Sequence, residues 1–337
     1  MPGRARPATL RSIADSLGLH VSTVSRVLNG AADDGARAAS GDTAQRIRQL
    51  AAELGYQPNP HATSLRTQRS NLIGVLVPRL SDLVLATIYE GIEEAAAEHG
   101  LSAFVTNTRD EPETQRKRTK MVLDRRVDGL IFGDAHADGR FLDEIATAGT
   151  PFVLVNRRAG DHPAITCDDY LGGRLVAEHL LELGHEEVAV IAGKPYASTA
   201  IDRAGGFVDR YREAGVAIPA DRIVHSRFDT AGGRWAAEHI LRDRRPSAIF
   251  AVNDFAAIGA AGSARDHGLQ LGADIAMVGF NDTPLAAELP IPLTSVRSPM
   301  RRMGRRAAES LIRLLGGEQI ESEQLRPTLM VRASTSA

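Results

Sequence analysis

Cysteine, lysine and long apolar runs are all scarce in this 337-residue chain, and each scarcity excludes something. The single cysteine, Cys167, rules out a disulfide within the chain and cannot build a cysteine metal site. Lysine occurs only at Lys117, Lys120 and Lys194, so nearly all cationic charge is arginine, a bias that fits a GC-rich genome and carries no functional reading. No run approaches the ~20 apolar residues of a membrane span, and no apolar leader precedes the first helix, so a cytoplasmic protein without a membrane partner is expected. Catalytic signatures are missing as well. There is no G-x-S-x-G elbow, no P-loop and no H-E-x-x-H among the ten histidines, so neither an enzyme nor a cofactor or metal is expected. His179 and His185, six apart in EHLLELGH, do not share a helix face and read as a surface residue and a helix end.

What is present begins with length and charge. The chain has room for a small module and two ordinary domains, each with its own core. The net charge of −2 hides an asymmetry: residues 1–70 hold nine arginines and five acids, a net +4, which leaves −6 for the remainder. The basic end is the one suited to nucleic acid.

Within that end, Leu10, Ile13, Ala14 and Leu17 recur at helical spacing, and Val24, Val27 and Leu28 repeat it after a break at Gly18. Two short helices on a tight turn follow, with Thr9 as N-cap and Gly18 in the left-handed conformation that a sharp turn demands. This is helix-turn-helix geometry. On the second helix Val21, Ser22, Ser25 and Arg26 face away from the apolar stripe and could offer a major groove a methyl contact, hydroxyls and a guanidinium fork. By periodicity alone, a helical hairpin with a solvated polar face explains the row equally well.

A third amphipathic helix, carrying Thr43, Ile47, Leu50, Ala51 and Leu54, is closed by Gly55. From Asn71 onward the pattern alternates strand and helix. Strands are expected at Leu72–Val77, Leu101–Thr106, Gly129–Phe132 and Phe152–Val155, then at Val188–Ala192, Ile223–His225, Ala248–Val252 and Ile275–Phe280. Short apolar runs without alternation indicate parallel strands buried on both faces, hence two Rossmann-like halves. Ligands in such sheets bind beyond the carboxyl ends of the strands. There stand Ser81 and Asp82, Asn156 and Arg157, Asn253 and Asp254, and Asn281 and Asp282, a set suited to a polyol, although strand-end Asn and Asp are also common turn formers.

The run TVSRVLN, then GYQPN, then A-x-x-LR, then NLIGVLVP, in that order, resembles the lactose repressor/galactose repressor (LacI/GalR) family of bacterial transcription regulators, and the likeness continues to about Val331. The resemblance implies an all-α helix-turn-helix module with a hinge helix, followed by a periplasmic-binding-protein-like α/β effector domain of two Rossmann-like subdomains. The expected divisions are a DNA-binding domain over 1–57, a hinge over 58–70 and an effector-binding and dimerisation domain over 71–337. Its N-subdomain would span about 71–165 and 297–325, and its C-subdomain about 166–296 and 326–337. Leu293–Ser298 should return the chain to the first subdomain, where Met300–Leu315 should form a helix.

DNA contacts are then expected from Thr9, Val21, Ser22, Thr23, Ser25, Arg26 and Asn29, and from Asn59, Ala62, Leu65 and Arg66 of the hinge, with Leu65 as a minor-groove wedge. Effector contacts are expected from Ser81, Asp82, Asn156, Arg157, Arg203, Phe228, Asn253, Asp254 and Asn281. Arg203 would clamp ligand oxygens, and Phe228 would lie against a ring face. The implied partners are double-stranded operator DNA, a small-molecule effector for which a carbohydrate is favoured, and a second copy of the chain in a homodimer. A purine- or nucleoside-responsive regulator is the near alternative. A sugar-binding transport protein of the same fold is the more distant one, opposed by residues 1–66.

Two features depart from the family. Gly30–Asp42 is a longer Gly/Ala/Asp-rich loop than relatives carry, read as a passive mobile insertion. His20 stands where a serine or threonine cap is usual, and a poor cap there would cost that helix roughly 1 kcal/mol.

Overall fold

The structure is a computed structural model in which residues 8–29, 39–56, 69–242 and 245–336 are described. The chain divides into two compact units, Met1–Asn71 and Leu72–Ala337. Residues 30–38 of the unusual loop and 58–68 of the expected hinge, with Asn59, Ala62, Leu65 and Arg66, lie outside the described residues, and the end of the expected loop, Ser40 to Asp42, instead caps and opens a helix.

In the first unit, α1 (Leu10–Leu17), α2 (Val21–Asn29) and α3 (Gly41–Glu53) pack on one another around Ile13, Ala14, Val24, Val27, Ala44, Ile47 and Ala51. α1 opens with a reciprocal cap: the Ser12 N–H donates to Thr9 Oγ1 at 3.1 Å and the Thr9 N–H to Ser12 Oγ at 2.9 Å. It closes on Gly18 at φ 64°, as the turn requires. Ser40 caps α3 through Thr43 N–H at 3.4 Å, and Gly55, at φ 62°, follows its end.

The second unit holds two six-stranded sheets. The first is built from β1 (Leu72–Val77), β2 (Ser102–Asn107), β3 (Gly129–Phe132), β4 (Phe152–Val155), β5 (Ala164–Cys167) and a late strand, β11 (Glu323–Leu325), in the order β11-β5-β4-β3-β1-β2. The second contains β6 (Val188–Ile191), β7 (Ile223–Val224), β8 (Ala248–Ala251), β9 (Ala276–Asn281), β10 (Thr294–Arg297) and β12 (Thr328–Met330), ordered β12-β10-β9-β8-β6-β7. Every pairing is parallel except β10 with β12. Strands β1 to β10 mostly have both faces buried beneath helices, which is why their sequences are continuous apolar runs.

The covering helices are α4 (Leu83–Glu98), α5 (Pro112–Leu123), α6 (Arg140–Thr147), α7 (Asp169–Glu182), α8 (Ser198–Glu213), α9 (Thr230–Leu241), α10 (Asp254–Asp266), the short α11 (Pro284–Ala287) and α12 (Met300–Leu315). Three helix pairs approach backbone to backbone through facing glycines: Gly91 with Gly304, Gly173 with Gly206, and Gly233 with Gly259. A methyl group on any of the six would fall within 2.1 Å of a carbonyl oxygen of the opposite helix.

The chain passes between the sheets after β5, after β10 and between β11 and β12. Leu293–Ser298 is therefore not itself the return to the first sheet. Its core, β10, is a strand of the second, and the return comes with α12, which packs on α4. All three crossings fall at the β5/β11 and β10/β12 sides, so β2 and β7 are the edges away from them. His179 is half-buried, not on the surface, with its ring bonding Thr335 Oγ1 at 2.9 Å, while His185 does stand at a helix end, just past α7, with its ring bonding Ser247 Oγ at 3.0 Å.

Candidate functional site

On the first unit the exposed row of α2 is narrower than expected. Ser22 and Arg26 are exposed, Thr23 and Ser25 are half-buried, and Val21 is half-buried against the three-helix core and does not stand free. Asn29 is the last residue of the helix. The expectation for His20 also changes. Its Nδ1 accepts from the Ser22 N–H at 3.3 Å and lies 2.7 Å from Ser22 Oγ, so the imidazole does cap the helix, through a ring nitrogen in place of a hydroxyl.

On the second unit a cavity of about 430 Å³ opens at the carboxyl ends of the strands of both sheets, within the size range of small-molecule sites. Ser81, Asp82, Asn156, Arg157, Arg203, Phe228, Asn253 and Asn281 all line it. Asp254 does not. It is turned into the β9–β10 connection, where it accepts from the Thr283 N–H at 2.6 Å, Thr283 Oγ1 at 2.9 Å and Ser295 Oγ at 2.6 Å. Burial pushes its carboxyl up to about 6, against those three hydrogen bonds.

Both arginines are held more firmly than a ligand clamp would be. Arg157 grips Asp110 with Nη1 at 2.6 Å and Nη2 at 3.0 Å, and its guanidinium lies 5.7 Å from the Phe228 ring. Tyr196, from the second half, donates its hydroxyl to the same carboxylate at 3.1 Å and stacks on His136 at 4.3 Å. Burial alone would raise the Asp110 carboxyl. The His136 contact, the Arg157 charge and hydrogen bonds, and the Tyr196 hydroxyl outweigh it and hold the group well below the usual carboxylate range. A latch between the two halves of this unit results.

Arg203 is paired at Nε with the buried Asp169, 2.8 Å away, and Nη1 donates to Val252 O at 2.8 Å and Asn281 Oδ1 at 3.4 Å. Burial lifts Asp169 to about 6 against the pull of that guanidinium. Only Nη2 of Arg203 makes no hydrogen bond among the described residues, so its first task is to join α8, α7 and the β8 end. Asn253 is likewise occupied. Its Oδ1 caps α10 through Ala256 N–H at 2.9 Å, and its Nδ2 donates to Phe228 O at 2.7 Å, which fixes the aromatic wall. Asn156 and Asn281 sit at φ 66° and 102°, a backbone region asparagine tolerates better than most residues. Asp82 caps α4 through Val84 N–H at 3.0 Å, and burial raises its carboxyl.

Arg79, Arg109, Asp110, Lys194 and Tyr196, which are not among the expected contacts, also line the cavity. All follow β1, β2 or β6, so the strand-end rule, applied to every strand, would have reached them.

A capped helix-turn-helix and a two-sheet ligand-binding fold in one chain define a class: a DNA-binding regulator with a sensor domain. Residues 9–59 match the family described as bacterial regulatory proteins, lacI family, and residues 177–335 match the periplasmic binding protein-like domain. The chain is 32% identical over 335 residues to the HTH-type transcriptional regulator DegA of Bacillus subtilis (strain 168), covering 97% of this chain and 98% of that protein. It is 29% identical over 333 residues to the HTH-type transcriptional repressor PurR of Histophilus somni (strain 129Pt), covering 97% and 98% respectively. Among solved structures, the lac repressor dimer bound to operator and the anti-inducer ONPF superposes with a TM-score of 0.89 at 28% identity, covering 98% of this chain and 100% of that one. The chain belongs to the lacI family of bacterial regulatory proteins, and it is a DNA-binding transcription regulator, not an enzyme. No helix among the described residues is long and apolar enough to cross a membrane.

Proposed function

We propose that this regulator is a cytoplasmic repressor that binds a near-palindromic operator as a homodimer and is switched by a small polyol, a carbohydrate, held in the cavity between the two halves of its second unit. The observation that carries the reading is the cavity itself, 430 Å³ at the carboxyl ends of both sheets, walled by Asn, Asp and Arg side chains and by the aromatic residues Tyr196, Phe228 and Phe255. The lac repressor, similar over nearly the whole chain, was solved as a dimer on its operator with a small molecule bound.

In this reading Arg26 forks onto a guanine edge, while Ser22, Thr23 and Ser25 donate to bases or phosphates. Thr9, Val21 and Asn29 border the contact, and Asn59, Ala62, Leu65 and Arg66 belong to it by resemblance alone. One module reads a few base pairs, so a two-fold dimer supplies the second half-site. The cavity joins the halves of the unit through the Asp110, Arg157 and Tyr196 latch, so a ligand there changes how those halves close. Typical coupling between such a site and DNA is ~1–3 kcal/mol.

The test is a gel shift of the full chain with fragmented genomic DNA of the source organism, followed by sequencing of the retained fragments. Discrete sites with two inverted half-sites are expected, and uniform retention of all fragments would reject the reading.

A further inference from the structure

The chemical class of the effector can be narrowed from charges that the fold does not use. Residues 71–337 carry a net −6, yet six cations line the cavity against three carboxylates. Arg157 is neutralised by Asp110, Arg203 by Asp169 outside the cavity, and Arg227 by Asp229 at 3.0 Å. Arg79, Arg109 and Lys194 remain, and among the described residues none of them has an ion pair or side-chain hydrogen bond. The one lining carboxylate left to oppose them, Asp82, already caps a helix.

Their positions are not scattered. Arg109 follows the edge strand β2, while Arg79 and Lys194 follow β1 and β6, the strands next to the edges β2 and β7, so all three lie toward the sides of the sheets away from the chain crossings. Like charges gathered from both halves of a cleft repel one another as it closes unless a counter-charge arrives. A second observation points the same way. Arg157 Nε and Asn281 Nδ2 belong to lining side chains only 4% and 2% exposed, and neither has a hydrogen-bond partner. Both are pure donors, so the missing groups are acceptors.

We propose that the cavity takes an anionic polyol, a sugar phosphate or a sugar acid, with its anion among Arg79, Arg109 and Lys194 and its oxygens toward Asn281 and Arg157. The proposal rests on the reading of this cavity as the effector site. Neutral sugars would leave the three cations uncompensated on closure and bind more weakly.

The experiment is calorimetric titration of the full-length chain with matched probes: D-glucose, D-fructose and D-ribose, their 6- or 5-phosphates, and D-gluconate and D-glucuronate. At least one anionic probe should bind about tenfold or more tightly than its neutral parent, and the phosphate and carboxylate arms separate the two anion types. The double variant Arg109→Gln, Lys194→Gln should lose about tenfold or more of that affinity, which brings the anionic probe close to the affinity of its neutral parent. Neutral parents binding as well as their anionic forms, a double variant that binds the anion normally, or no anionic probe binding at about 1 mM would each overturn the proposal. Ser81→Trp, at an exposed lining position, plugs the cavity. A neutral sugar that binds the native chain as tightly as its anionic form and is lost on plugging sinks the anion class alone. An anion that still binds the plugged chain sinks the effector site as well.

Discussion

Two adjacent glycines in α8 should respond to the same substitution with opposite signs. Gly205 and Gly206 are both interior to the helix, so alanine at either gains ~1 kcal/mol from helix propensity. A methyl group at Gly205 meets nothing within 4 Å, so that gain stands. At Gly206 the same methyl would lie 2.0 Å from the carbonyl oxygen of Tyr170, and the reciprocal contact, Gly173 against Arg203 O, is 2.1 Å. A backbone carbonyl cannot rotate aside as a side chain would, so α7 and α8 must separate by about 1 Å or more, at the upper end of the ~1–3 kcal/mol that overpacking costs. Gly205→Ala is therefore expected to stabilise by about 1 kcal/mol and Gly206→Ala to destabilise by about 2 kcal/mol. In urea melts followed by circular dichroism, the two midpoints should differ by about 1 M or more. Because α8 also carries Thr199 and Arg203 into the cavity, Gly206→Ala should weaken ligand binding too. Equal midpoints for the two variants would refute the close helix approach from which the reasoning starts.

Asp110→Asn leaves the buried Arg157 guanidinium without its counter-charge and should destabilise the second unit by about 3 kcal/mol in the same melts, where Tyr196→Phe costs about 1 kcal/mol. Asp254, raised to about 6 when folded from an ordinary value of 3.8, gives stability that is full below the lower value and lost as pH rises through the higher one. The unfolding free energy of the native chain relative to Asp254→Asn should therefore fall by about 2 kcal/mol between about pH 4.5 and pH 7.5, and a flat difference would deny the shift. His20→Ala should lower hydrogen-exchange protection across α2 by about 1 kcal/mol, and His20→Asn should restore it.

Much of the fold is legible because its elements are long runs of one period. The eight expected strands all form, most with ends within a residue of the expected positions, and Gly18, Thr9 and Gly55 do what their types suggest. Three of the four unforeseen strands had no such signal. β10 reads Thr-Ser-Val-Arg and is buried only because β9 and β12 flank it, while β11 and β12 are three residues each. The cavity was legible by the same strand-end rule. What each side chain does there was not, because partners lie far apart in sequence. Asp110 meets Arg157 across 47 positions, and Asp254 turns to Ser295 across 41. His20 departs from expectation for a different reason: a ring nitrogen can accept the hydrogen bond usually given to a hydroxyl.

The central claim is that this chain reads a two-fold DNA sequence through α2. In vitro selection of duplexes by the full-length chain from a randomised library, repeated with Arg26→Ala, tests it most directly. The account predicts one enriched motif of two inverted half-sites for the native chain, and loss of preference at one base pair in each half-site for the variant. Selection that enriches no motif, or a variant that selects the same motif at full strength, would contradict it.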